Sequence, residues 1–94
     1  MENLETEYPG DAKWEIFYRV YESMYQSNEI MELAVEIGGH KDIATVIYGL
    51  LGAEECFEWI HKKILILNGL TPLECIKSVS LMRRLKTALM RMPC

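Results

Sequence analysis

The segment from Asn68 to Met92 constrains the fold more than any other part of the chain, because each of its junctions carries its own local signal. Asn68-Gly69 readily takes the left-handed conformation that ends a helix, since glycine has no Cβ atom to clash there. A helix start follows, with a capping threonine, a proline where no amide donor is needed and a glutamate that closes a capping box. These residues are Thr71, Pro72 and Glu74. The segment therefore predicts a turn, one short helical turn and a long closing helix.

The closing helix is predicted to bury one face and to present basic residues on the others. Ser78 can cap it. The apolar residues at helical spacing are Met82, Leu85, Leu89 and Met92, and the basic residues between them are Arg83, Arg84, Lys86 and Arg91. One face opposite the leucines holds Ser80, Arg84, Thr87 and Arg91. Arginine suits carboxylate, phosphate or interface recognition, so this face is either a solvated polar surface or a partner contact.

Apolar residues recur at helical spacing through most of the remaining chain, which predicts four further helices. The first has an unusually aromatic stripe, made of Trp14, Phe17, Tyr18, Tyr21 and Met24. This stripe indicates either core packing or a surface for a partner or a second copy of the chain. The predicted bounds are Asp11 as the cap of the first helix, Ser27 or Asn28 to Gly38-Gly39 for the second, Asp42 to Leu51 for the third and Ala53 to Leu67 for the fourth.

The third of these helices has a competing interpretation, because residues 43–48, Ile-Ala-Thr-Val-Ile-Tyr, are mostly β-branched and could form a buried strand. We reject the strand because the sequence offers no second strand to pair with it. The predicted fold is therefore all-α, a small single-domain bundle of five or six helices. Residues 1–10 are predicted to be a flexible lead, and residues 11–94 the helical domain, in which 11–39 hold the first two helices.

A chain of 94 residues, half of them hydrophobic, can bury one core and no second one. Its three cysteines are scattered and odd in number, which favours free thiols in a reducing cytosol over a secreted disulfide scaffold. The acidic start lacks the apolar core of a signal peptide. The longest apolar run, Ile64 to Leu67, is far shorter than the about 20 residues that span a membrane. We therefore expect a cytoplasmic protein.

The net charge of −4 hides an asymmetry between two parts of the chain. Residues 1–39 hold nine acids and two bases, or −7, whereas residues 40–94 hold five acids and eight bases, or +3. We expect the two parts to attract each other within a fold or dimer, or to attract different partners. Nucleic acid is not an expected partner, because its nonspecific binding depends mainly on the neutralisation of phosphates by basic protein.

No residue pattern predicts catalysis, a metal or a cofactor. Cys56 and His61 are five positions apart on one predicted helix, so they point in different directions. His40 follows a Gly-Gly turn, where capping or solvent exposure is the expected role. Gly38-Gly39 lacks the lysine and the strand that a phosphate-binding loop needs. We expect a protein that acts by binding and not as an enzyme.

The order of several residues over positions 43–92 resembles a known family. The string from Leu67 to Glu74, with a glycine and a tryptophan upstream and an arginine-rich helix downstream, is similar to the toxin-binding domain of Xre/MbcA/ParS-type antitoxins. The matching positions outside the string are Gly52, Ala53, Trp59, Arg83, Arg84, Leu89 and Arg91. In that family the last helix and the tail after it meet a RES-type toxin, which consumes NAD or modifies proteins with it, and block its active site.

The resemblance implies a toxin-binding module without a cofactor, which inhibits sterically while its arginines pair with acidic groups at the rim of the toxin's cleft. The implied partner-binding residues are Arg83, Arg84, Thr87, Arg91, Met92, Pro93 and Cys94. Full-length relatives also carry a DNA-binding helix-turn-helix, for which residues 1–39 are too short and too acidic. An alternative from a different class is a structural or adaptor module that forms a homodimer through its aromatic first helix.

Overall fold

A computed structural model of the chain describes residues 4–92. Within this range it contains five α-helices and two 3-10 turns, and the predicted all-α bundle of five or six helices is confirmed. The helices are α1 (Asp11–Met24), α2 (Asn28–Glu36), α3 (Lys41–Trp59), α4 (Pro72–Cys75) and α5 (Val79–Arg91), and the 3-10 turns are Leu4–Glu7 and Leu65–Leu67. None of the helices in the described range is both long enough and apolar enough to cross a membrane.

The core lies where α1, α2 and α5 pack around α3. Each helix contributes an apolar stripe, and Leu33, Ile47, Leu85 and Leu89 are among the side chains with no exposed surface. Full burial of one such side chain contributes about 1.5 to 3 kcal/mol relative to leaving it exposed. The packing of these stripes holds in place helices that are too short to be stable alone.

The first half of α3 is the centre of the core. Five consecutive residues in it are at most 2% exposed, namely Ile43, Ala44, Thr45, Val46 and Ile47. Burial on every side explains why this string shows no alternation of polar and apolar residues. The hydroxyl of Thr45 donates to the carbonyl of Lys41 at 2.7 Å, so the one polar side chain of the string is satisfied within its own helix. The helical interpretation of residues 43–48 is confirmed.

The helices α1 and α3 approach each other closely at Gly49. A Cβ atom at this position would lie 2.3 Å from Cδ1 of Tyr21. Glycine thus makes room for the aromatic stripe of α1, in which Trp14, Tyr18 and Tyr21 are buried. Core packing is therefore confirmed for these three rings, whereas Met24 at the end of the stripe is 63% exposed.

The helix α3 ends at Trp59, so the prediction that the fourth helix extends to Leu67 is wrong. In a continuing helix the carbonyl of Ile60 would accept a hydrogen bond from the amide four residues later. That carbonyl instead accepts from the amide of Leu73 at 3.3 Å, and the amide of Ile64 donates across the following turn at 3.0 Å. Contacts with residues beyond the turn end the helix, and apolar spacing contains no information about them.

The sequence correctly predicts the turn after α2 and the interruption of α3, but not the cap of α1. Gly38 and Gly39 form the turn after α2, and Gly52 interrupts α3 with φ 86° and ψ 169°, as predicted. At the start of α1 the prediction of Asp11 as the cap is wrong. Gly10 holds the cap position, and Asp11 is the first helical residue.

Residues 4–7 belong to the stretch that the sequence predicts to be a flexible lead. They form a 3-10 turn that packs along α5, and Leu4 is only 5% exposed. Burial of this leucine and attraction between acidic residues of the turn and basic residues of α5 account for the docking. We call residues Leu4 to Tyr8 the N-terminal segment, and its position decides which parts of α5 are accessible.

Candidate functional site on the closing helix

The turn and the cap before α5 hold that helix in place through local hydrogen bonds. Asn68 and Gly69 are left-handed, with φ values of 59° and 81°. The hydroxyl oxygen of Thr71 accepts from the amide of Glu74 at 3.1 Å, and the Glu74 carboxylate accepts from the amide of Thr71 at 2.8 Å. This backbone donor lowers the pKa of Glu74. Pro72 is buried at the first position of α4, so the capping box is complete.

The helix α5 buries more of its circumference than its sequence suggests. The hydroxyl oxygen of Ser78 caps it by accepting an amide hydrogen bond at 3.1 Å, and Leu85 and Leu89 are fully buried. Thr87 was predicted on the exposed face but is 3% exposed, and its hydroxyl donates to the carbonyl of Arg83 at 2.8 Å. The structure therefore places Thr87 inside the protein.

Arg84 is held by Glu5 of the N-terminal segment. Its Nε donates to Oε1 of Glu5 at 2.9 Å and its Nη2 donates to Oε2 at 2.8 Å, the two-point geometry of a strong arginine–carboxylate pair. The Arg84 side chain is 12% exposed, and that of Glu5 is 17% exposed. The hydrogen bonds lower the pKa of Glu5 and raise that of Arg84. Arg84 was predicted to lie on an exposed face, and the structure shows it covered.

Three further basic side chains of α5 lie around the rest of the N-terminal segment. Arg91 forms an ion pair with Glu7, and the two side chains are 44% and 37% exposed. Cζ of Arg83 lies 6.0 Å from the ring centroid of Tyr8, and Nζ of Lys86 lies 5.8 Å from it. Cations at this distance are attracted by the electron-rich face of an aromatic ring. The acidic and aromatic side chains of the N-terminal segment therefore lie over the basic side chains of α5.

The predicted partner-binding residues are consequently divided. Arg83 is exposed, Arg91 is partly exposed beside Glu7, and Met92 is half-buried. Pro93 and Cys94 lie outside the residues that the structure describes. Of the predicted arginines, Arg83 and Arg91 remain accessible.

Sequence patterns missed the N-terminal segment as part of this site. A 3-10 turn of four residues has no periodicity that could reveal it. The charge asymmetry predicted attraction between the two parts of the chain, and the structure realises it through Glu5 and Glu7. Two sequence features together could have located the segment. It holds two acids two positions apart, and the closing helix contains only basic charges.

A second candidate surface is the outer side of α1. Ile16, Val20 and Met24 follow one another at four-residue spacing and are 65%, 51% and 63% exposed. Beside them an apolar groove of about 460 Å³ runs between α1 and α3, with Phe17 and Leu50 in its lining. A continuous row of exposed apolar side chains is typical of an interaction surface. The apolar side chains of α1 therefore extend beyond the face that packs against the core.

A cavity of about 530 Å³ lies where the end of α1 meets the starts of α2 and α3, and its lining includes Glu22 and Lys41. The carboxylate of Glu22 accepts a hydrogen bond from the hydroxyl of Tyr18 at 2.6 Å. This bond lowers the pKa of Glu22, and burial raises the pKa of Tyr18 to about 12. The hydroxyl of Ser27 beside the cavity is buried and has no hydrogen-bond partner among the described residues.

Cys56 and His61 lie in different surroundings. Cys56 is buried, and its thiol donates to the carbonyl of Ala53 at 3.5 Å, whereas His61 is exposed. Burial raises the pKa of the Cys75 thiol to about 11. Between residues 4 and 92, no three His, Cys, Asp or Glu side chains form a group that could hold a metal ion.

Comparisons of the chain with protein-family models, with curated proteins and with solved structures found no match.

Proposed function

We propose that this chain is a non-enzymatic protein-binding module that neutralises a RES-type toxin by covering its active site with α5 and the tail after it. The proposal rests on the resemblance of residues 43–92 to the toxin-binding domain of Xre/MbcA/ParS-type antitoxins. Support comes from the connection before α5, where a left-handed turn at Asn68-Gly69 and a capping box at Thr71 follow each other in the family's order. The start of α5 is thereby held in place, and so are the positions of its arginines.

The observation that carries the proposal is that α5 binds carboxylates at two places. Arg84 holds Glu5, and Arg91 holds Glu7. Seven residues along a helix correspond to about two turns, or about 10 Å, so the two arginines lie on one side of α5. Such a row matches a partner that presents acidic groups, because complementary charge selects the partner and accelerates association.

A purified RES-type toxin tests the proposal, with affinity measured by calorimetric titration and inhibition measured by NAD consumption. Arg91→Glu reverses the charge of a partly exposed arginine and should leave the fold intact. We expect this variant to bind the toxin at least about tenfold more weakly, which corresponds to about 1.4 kcal/mol. Wild-type chain that neither binds nor inhibits the toxin would reject the proposal.

Lys62→Glu is the matched control for this experiment. It makes the same change of charge at an exposed position outside α5, so toxin affinity should equal that of the wild type. If Lys62→Glu and Arg91→Glu weaken binding equally, the effect is one of net charge. If neither weakens it, α5 is not part of the toxin interface.

A second candidate function is self-association through the outer side of α1, which the exposed row Ile16, Val20 and Met24 favours. Val20→Glu places a charge in the middle of this row, so the variant should sediment as a monomer where the wild type sediments as a dimer. Val79→Glu changes a valine that is 68% exposed on α5, and it should leave the sedimentation unchanged. A wild-type chain that is monomeric at all concentrations contradicts this candidate.

A further inference from the structure

We propose that the surface of α5 beneath the N-terminal segment is a docking site for a short acidic segment of the protein partner, and that the chain's own segment occupies it until the partner's segment replaces it. The inference rests on the proposed function and deepens it by naming what the partner presents. The partner's segment presents an aliphatic residue followed directly by a carboxylate, a second carboxylate two residues later and then an aromatic ring.

The first two positions of the N-terminal segment make its most buried contacts. Leu4 is 5% exposed and belongs to the hydrophobic core. Glu5 accepts two hydrogen bonds from Arg84, which also donates to the carbonyl of Leu67 at 3.5 Å. An aliphatic side chain and a carboxylate in consecutive positions are therefore both recognised, one by burial and the other by a two-point hydrogen bond.

The last two positions of the segment make outer contacts. Glu7 pairs with Arg91 where both side chains are partly exposed. The ring of Tyr8 lies within 6.0 Å of the charged groups of Arg83 and Lys86. These contacts extend recognition along α5. The surface as a whole selects acidic sequences because all four charged residues of α5, Arg83, Arg84, Lys86 and Arg91, are basic.

The surroundings of Arg84 decide what kind of event can uncover the site. This side chain is 12% exposed, so removal of Glu5 without a substitute leaves a poorly solvated charge unpaired, which is strongly unfavourable. Exchange for another carboxylate avoids that state. We therefore infer replacement by an acidic segment and not spontaneous opening.

The connection between the N-terminal segment and the bundle permits this exchange. The 3-10 turn has only four residues, too few to be stable once undocked. It joins α1 through Pro9 and Gly10, and Gly10 has a φ of 106°, which other residues rarely adopt. The chain can therefore bend at Gly10, ahead of the first residue of α1, once the hydrogen bond that the hydroxyl of Tyr8 donates to Asp11 at 2.7 Å is broken. Because the segment is tethered, its effective concentration is about millimolar, and a competing segment has to overcome it.

The test uses the full chain and a fluorescein-labelled peptide with the sequence of residues 4–10, LETEYPG, followed by fluorescence anisotropy. The variant Glu5→Gln with Glu7→Gln removes both carboxylates from the segment and keeps its shape. This variant should bind the peptide at least about tenfold more tightly than the wild-type chain, whose own segment competes. Glu32→Gln with Glu36→Gln removes two exposed acids of α2 and should bind the peptide as the wild type does.

A second labelled peptide, LQTQYPG, measures the requirement for carboxylates. It should bind the variant Glu5→Gln with Glu7→Gln at least about tenfold more weakly than LETEYPG does, because it lacks both charges. Equal binding of the two peptides overturns the inference. So does a folded glutamine variant that binds LETEYPG no better than the wild type.

The wild-type chain provides a measurement that does not depend on the folding of the glutamine variant. Saturation with unlabelled LETEYPG should move the amide NMR resonances of Glu5 and Glu7 to the positions of an undocked segment. Resonances that stay unmoved at saturating peptide overturn the inference.

Addition of a RES-type toxin to a second NMR sample of the wild-type chain, which contains no peptide, distinguishes this inference from the proposed function. Peptide exchange in a chain that does not bind the toxin supports the docking site and rejects the toxin as its partner. Toxin binding that leaves the resonances of Glu5 and Glu7 in their docked positions rejects the exchange and supports the proposed function.

Discussion

The carboxylate of Glu5 and the guanidinium of Arg84 meet through two hydrogen bonds, at 2.9 and 2.8 Å, although 79 positions separate the two residues in the chain. The pair joins the first described turn to the last helix. The side chain of Arg84 is 12% exposed and that of Glu5 is 17% exposed. Those of Arg91 and Glu7 are 44% and 37% exposed. Two ion pairs on the same helix therefore lie in different surroundings.

Because of this difference, Arg84→Ala should lower the free energy of unfolding more than Arg91→Ala does. Without Arg84, the poorly solvated carboxylate of Glu5 loses both donors, at a cost of about 1 to 3 kcal/mol. Without Arg91, a partly exposed pair is lost, and such pairs contribute about 0 to 1 kcal/mol. Urea unfolding measures both changes. Equal losses in the two variants would contradict the difference in surroundings.

Acid should weaken the contact between Glu5 and Arg84. Hydrogen bonds from Arg84 hold the pKa of Glu5 below its ordinary value of 4.5. A carboxyl group whose pKa is lowered in the folded protein stabilises the fold fully above its unfolded pKa, and this contribution is lost as the pH falls through the folded pKa. Below about pH 4.5, the melting temperature of the wild type should therefore fall more steeply than that of Glu5→Gln. Glu32→Gln should follow the wild type, and parallel curves for all three proteins would contradict the prediction.

Substitution of Gly49 by alanine should destabilise the contact between α1 and α3. The new Cβ atom would lie 2.3 Å from Cδ1 of Tyr21, whose ring has little room because the residue is 8% exposed. Overpacking costs about 1 to 3 kcal/mol, which exceeds the gain of up to about 1 kcal/mol from replacing a helical glycine by alanine. Thermal unfolding measures the net effect. An increase in stability would show that α1 can move away without loss.

Loss of the hydroxyl of Thr71 should weaken the connection before α5. Thr71→Ala removes the acceptor for the amide of Glu74 and should cost about 1 kcal/mol. Ser80→Ala removes an exposed hydroxyl of α5 for which no capping role is found, so it should change the free energy of unfolding by less than about 0.5 kcal/mol. Urea unfolding compares the two variants, and indistinguishable curves would show that the capping box contributes nothing.

The features that the sequence determined by itself depend on residues close together in the chain. The capping box at Thr71 and Glu74 needs only a spacing of three, and the left-handed turn at Asn68-Gly69 needs only two residue types that tolerate positive φ, asparagine and glycine. The apolar stripes likewise follow from the helical repeat. Local sterics and hydrogen bonds act over one or two turns, so residues close together in the sequence are enough to predict these features.

The features that only the tertiary structure decided depend on residues far apart in the chain. The helix α3 ends at Trp59 because the amide of Leu73 takes the carbonyl that a longer helix would use. Thr87 is buried because of what packs around α5. The charge asymmetry predicted that the acidic and basic parts attract either each other or different partners, since Coulomb attraction needs only net charge. That Glu5 meets Arg84 was decided by the fold, because a two-point hydrogen bond forms only where packing brings both side chains to the same place in the right orientation.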